Sequence, residues 1–112
     1  MIKTTSFRLS KKLNHQLLTI SEKVGIVEAN IVRLAIIDEL FDPKIDLSKV
    51  PDYTVKTDES VRKTIQLKPF VSSILEKAKN SSGRPANTLV IWALSQKLAW
   101  YQDMLESLGQ LH

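Results

Sequence analysis

No cysteine occurs among the 112 residues. That excludes a disulfide scaffold, a cysteine-ligated zinc site and thiol catalysis, and it fits a reducing cytoplasm. There is no apolar run of about 18 residues, so no membrane-spanning helix is expected. The N-terminal stretch MIKTTSFRLS lacks the apolar segment of a secretory signal. The two histidines, His15 and His112, stand apart from other ligand types, so no metal site is expected. No paired acid and base, phosphate loop or nucleophile motif is present, and the scattered Asp and Glu read as solvated helix faces. The expectation is therefore a cytoplasmic protein that is not an enzyme and carries no cofactor.

What is present is a moderate positive charge, unevenly spread. The chain is 43% apolar and 25% charged, with a formal net charge of +4, which suits a globular domain. Residues 1–41 carry +2, residues 42–60 carry −2 and residues 61–112 carry +4. Two basic lobes flank an acidic connector, and a basic excess alone is a weak pointer to nucleic acid.

The first lobe opens with a strand candidate, Lys3–Leu9. Side chains alternate along a strand, so Thr5, Phe7 and Leu9 share one face, and Thr4, Ser6 and Arg8 share the other. Ser10 is a good N-cap for a following helix, where Leu13, Leu17, Ile20 and Val24 fall at helical spacing. Gly25 suits a left-handed helix stop. A second helix over about 28–41 is so apolar that it must bury more than one side. Residues 42–60 hold two prolines and a cluster of acids and read as a linker, with a short ordered stretch around Val50–Val55.

The pattern then recurs. Arg62–Lys68 is a second strand candidate, with Ile65 and Leu67 on one face and Arg62, Thr64 and Gln66 on the other. Pro69 is tolerated in a first helical turn, helical spacing runs from Phe70 to Ala78, and Gly83 precedes a last helix extending from about Pro85 towards Leu105. Trp92 reads as core, and Trp100 and Tyr101 as cover for the linker or for a partner. Shifted by 58 positions, Leu67 falls on Leu9, Leu75 on Leu17, Gly83 on Gly25, Val90 on Val32 and Leu98 on Leu40. An internal duplication of a strand-helix-helix unit is expected. A unit of about 40 residues buries too little apolar surface to stand alone. The two strands are therefore expected to pair antiparallel over four helices.

TTSFRLS with GIVEANIVRLAIIDEL in the first lobe, and RKTIQLKP with GRPANTLVIWALSQKL in the second, resemble the ribbon-helix-helix (Arc- and MetJ-like) family of DNA-binding repressors. The layout is similar to the tandem, TraY-type version with both units on one chain. The fold implied is mostly α with a two-stranded antiparallel β-ribbon: a tandem ribbon-helix-helix (β-α-α-linker-β-α-α) forming an intramolecular pseudo-dimer. Its divisions are residues 1–41, the linker 42–60, residues 61–107 and the tail 108–112.

The resemblance implies sequence-specific binding of double-stranded DNA through the ribbon in the major groove. The function implied is a transcriptional repressor, of prokaryotic or viral origin, reading an asymmetric or pseudo-palindromic site. Implied base contacts are Thr4, Ser6, Arg8, Arg62, Thr64 and Gln66. Lys3, Lys63 and Lys68 are placed for phosphates at the ribbon's ends, and Arg84, Asn87 and Thr88 for a phosphate at the start of the last helix. Residues 26–28 are the corresponding anchor in the first lobe, where Val27 is a poor cap and Glu28 opposes an anion. Alternative roles are a relaxosome accessory protein in conjugation, or an antitoxin. The partners left open besides DNA are a second copy of the chain, a relaxase or a toxin, with no membrane.

Overall fold

The structure, a computed structural model, describes residues 3–53 and 57–109. Strand β1, Lys3–Ser10, leads into helix α1, Lys11–Val24, and helix α2, Glu28–Leu40. Two 3-10 turns follow, Leu47–Lys49 and Thr57–Glu59. Strand β2, Ser60–Leu67, then precedes helix α3, Pro69–Ser82, and helix α4, Ala86–Ser107. No helix among the described residues is long and apolar enough to cross a membrane.

Local chemistry sets the element ends. The Leu13 N–H donates to Ser10 Oγ at 3.0 Å, which satisfies one free donor of the first turn of α1. Gly25 and Gly83 end α1 and α3 at φ 75° and 71°, a left-handed conformation that an L side chain resists. Pro69 opens α3, where its missing N–H costs nothing.

β1 and β2 form one antiparallel two-stranded sheet. Phe7, Leu9, Ile65 and Leu67 point from its inner face into a single core shared by all four helices. An isolated ribbon of two strands is marginal in water, and this apolar backing is what holds it. α2 and α4 are the central pair: α2 packs on α4, α3 and α1, and α4 also reaches α1, α3 and β1. Residues 88–94 of α4 are all buried, as expected of a helix enclosed on every side. Trp92 is core, Tyr101 is buried and Trp100 is about half exposed.

The expected layout of two ribbon-helix-helix units joined by a linker into an intramolecular pseudo-dimer requires correction. Among the described residues there is one two-stranded sheet and one core, with β2 following the first helix pair and preceding the second. The helix pairs are unequal, because α2 has 13 residues and α4 has 22. The connector is part of the fold rather than a bare linker. Leu47 and Val50 are buried in the core, and the turn at Leu47–Lys49 packs on α3. Asp46 caps that turn, accepting from the Ser48 N–H at 3.0 Å and from Ser48 Oγ at 2.8 Å. The Ser48 hydroxyl bond first, and then the Ser48 backbone bond, hold the Asp46 carboxyl below its ordinary range. Prolines and acidic residues suit a linker, but two apolar residues three positions apart anchor this segment in the core. Of the ordered stretch expected over Val50–Val55, residues 54 and 55 lie outside the described residues, as do residues 110–112 of the tail, including His112.

Candidate nucleic-acid interface

The strand register decides what the ribbon presents. Thr4 pairs with Gln66, Ser6 with Thr64 and Arg8 with Arg62. All six side chains are exposed. The expected base-contact residues therefore form three consecutive rungs on one face, and Ser10 opposite Ser60 adds a fourth. At about 3.3 Å per residue the face is about 20 Å long. Its centre is tied by Ser6 Oγ and Thr64 Oγ1 at 2.9 Å. Arg62 Nη2 donates to Ser6 Oγ at 3.3 Å, and Arg8 Nη1 donates to Ser60 Oγ at 3.0 Å. Neither arginine is among the ion pairs found among the described residues.

The six expected phosphate contacts divide. Lys3 and Lys68 are exposed and lie near one another, because Lys3 pairs with Leu67. Lys63 lies instead on the inner side and is half-buried; its Nζ contacts Glu28 Oε1 at 3.0 Å. A residue at odd spacing from Arg62 must point to the opposite face of the strand. Arg84 is tied to the connector, with Nη1 2.8 Å from Asp52 Oδ1 and Nε and Nη2 donating to the Ser48 carbonyl. Thr88 is 5% exposed and faces the core. Its position in α4, three residues after the N-cap Pro85, turns it inward.

Asn87 holds the ribbon. Its Oδ1 accepts from the Arg8 N–H at 2.7 Å, and its Nδ2 donates to the Arg8 carbonyl at 3.3 Å. A side-chain amide thus takes the place of a neighbouring strand at the free edge of β1, satisfying both backbone groups that an edge leaves open. At the other end Arg33 Nε donates to the Gln66 carbonyl at 3.0 Å, and Arg33 Nη1 donates to Asn30 Oδ1 at 2.7 Å. Each of the two central helices therefore grips the strand from the other half of the sequence. Two clefts lie beside these grips. One, of about 340 Å³, is lined by Ser6, Phe7, Arg8, Arg62 and Asn87; the other, of about 360 Å³, by Asn30, Arg33, Gln66, Lys68 and Val71.

The sequence reading missed Arg33, Asn30 and Ser60. A lone arginine inside IVRLAII was the available signal for Arg33. Period-two alternation carried one step, two residues, back from Arg62 gives Ser60. The starts of α2 and α4, at the N-caps Val27 and Pro85, make no side-chain capping bond. Glu28 opens α2 and opposes an anion there, but Lys63 offsets its charge.

Comparisons with protein-family models, with curated proteins and with solved structures give no match to this chain.

Proposed function

We propose that this chain binds double-stranded DNA sequence-specifically, with the outer face of the ribbon in the major groove, and that it acts in the cytoplasm as a transcriptional repressor. The observation that carries this reading is the three-rung polar face with two arginines opposed on one rung and no carboxylate paired to either among the described residues. Like charges directly across a strand pair destabilise it, and an acceptor-rich ligand relieves that repulsion. A major groove about 12 Å wide admits a two-stranded ribbon. Arginine donates to guanine, glutamine pairs with adenine, and threonine or serine contacts several edges. The uncapped starts of α2 and α4 beside the ribbon leave backbone N–H groups suited to phosphate. The resemblance to ribbon-helix-helix repressors points the same way.

Selection from a pool of random duplexes tests the proposal. The expected result is one enriched motif of about six base pairs, the length that a face of about 20 Å covers. Binding to it should weaken steeply with salt, with a slope of roughly −0.9 per phosphate neutralised. No enrichment, or affinity independent of salt, overturns it.

A further inference from the structure

We propose that the ribbon reads its duplex in one fixed orientation, with guanine-bearing pairs under the Arg8–Arg62 end and adenine or thymine contacts under the Thr4–Gln66 end. This rests on the DNA-binding reading above and adds to it a direction.

The register produces the polarity. Under the 58-position shift, Arg8 corresponds to Gln66 and Thr4 to Arg62. Two identical strands, paired about the same central rung, would set Thr4 opposite Arg8 at both ends, and the face would be symmetric. Here the halves differ at these positions, and antiparallel pairing sorts the differences by end. Both arginines fall on one rung, and the uncharged Thr4 and Gln66 fall on the rung at the other end.

The two guanidinium groups do not compete for one acceptor. Arg8 leans outward to Ser60 on the terminal rung, and Arg62 leans inward to Ser6 on the central rung. A guanidinium has five N–H donors in a fixed fork. The bonds to Ser60 and Ser6 use one donor of each. The remaining donors are spread along the ribbon, towards adjoining base pairs. Guanine offers O6 and N7 as a matched pair of major-groove acceptors. Among the described residues the outer face of the strands carries no arginine at the opposite end; the guanidinium nearest to it, Arg33, is held at the strand edge by the Gln66 carbonyl and Asn30 Oδ1. Gln66 there offers an amide that matches adenine N6 and N7, and Thr4 a methyl that suits thymine. Lys3 and Lys68 lie at that end, where they suit phosphates, which carry no sequence information.

The absence of cysteine makes the test clean. Lys12→Cys and Phe70→Cys occupy corresponding exposed positions beyond opposite ends of the ribbon. Each variant is loaded with an iron chelate and bound to the selected duplex labelled at one end. The expected result is cleavage from Lys12→Cys on the guanine-bearing flank only, and from Phe70→Cys on the other flank only. Equal cleavage on both flanks by each variant, with the selected motif still preferred, overturns the orientation and leaves DNA binding standing. No preference for any duplex overturns the DNA-binding reading itself, and the orientation with it. A second arm uses Arg8→Gln. Its discrimination between guanine and other bases should fall about tenfold or more at the guanine-bearing end, with no change at the other. An equal loss of affinity on every sequence makes Arg8 a phosphate contact and overturns the assignment.

Discussion

The two halves of this chain have the same order of elements and a different division of labour. Their glycine stops, Gly25 and Gly83, are 58 positions apart, and their strands face each other across a shared rung, Ser6 with Thr64. Yet α4 is longer than α2 by nine residues, 22 against 13. The grips on the ribbon differ as well. Asn87 holds β1 through both backbone groups of Arg8, whereas Arg33 holds β2 through the Gln66 carbonyl alone. The pair between buried Lys97 and exposed Asp38 has no counterpart, because the corresponding positions are Glu39 and Gln96. The comparison teaches that similar halves can keep a common frame while polar side chains at the frame's edges specialise it.

The strongest way to break the comparison is through the core. Ile31 and Leu89 are corresponding residues, and neither has any exposed surface. Ile31→Ala and Leu89→Ala should each destabilise the protein by about 2–5 kcal/mol. Both should shift one cooperative urea transition, followed by far-UV circular dichroism and by tryptophan fluorescence, because the halves share one core. Two separate transitions would mean that the halves fold independently.

The next largest effect sharpens the asymmetry. Lys97 Nζ lies 2.5 Å from Asp38 Oδ2 and 4.3 Å from the centre of the Trp100 ring, with only 9% of its side chain exposed. Asp38→Ala leaves that ammonium without its carboxylate and should cost about 1–3 kcal/mol. Glu39→Ala, at the position corresponding to Lys97, should cost under about 0.5 kcal/mol, as surface changes usually do. Urea titrations of the two variants side by side check the difference.

Asn87→Ala should cost about 1 kcal/mol, with faster hydrogen exchange at the Arg8 amide and little change at Gln66. Arg33→Ala should leave the Arg8 amide protected. Nuclear magnetic resonance exchange rates separate the two grips.

The smallest expected effect lies in the connector. Hydrogen bonds from Ser48 depress the Asp46 carboxyl in the folded state, so its contribution is complete above the ordinary carboxylate range. It is lost as pH falls through the lowered value. Asp46→Ala should flatten that acid limb of the stability curve slightly and leave stability near neutral pH slightly reduced.

Much of the frame was legible because it follows from periodicity. Alternation in TTSFRLS and RKTIQLK fixed the outer face, and glycine spacing fixed the helix stops. The phosphate contacts were less legible, because they depend on which neighbour a long side chain meets. Lys63 was assigned by its place near a strand end, but strand parity turns it inward to Glu28. Arg84 and Asn87 were assigned by their place at a helix start. Arg84 instead meets Ser48 and Asp52 of the connector, and Asn87 meets an open strand edge. Both partners are distant in sequence, so no local pattern announces them. The connector escaped for a related reason: Leu47 and Val50 are two apolar residues in a polar stretch, too few for a periodic signal.

Dimethyl sulfate protection of the selected duplex, read base by base, tests the central claim most directly. Methylation of guanine N7 reports the major groove, and methylation of adenine N3 reports the minor groove. Seating the ribbon in the major groove predicts protected guanine N7 atoms within one stretch of about six base pairs, with adenine N3 unchanged there. Arg8→Ala or Arg62→Ala should remove part of that protection. Protection of adenine N3 alone, or guanine N7 protection that both arginine variants leave intact, would contradict the account.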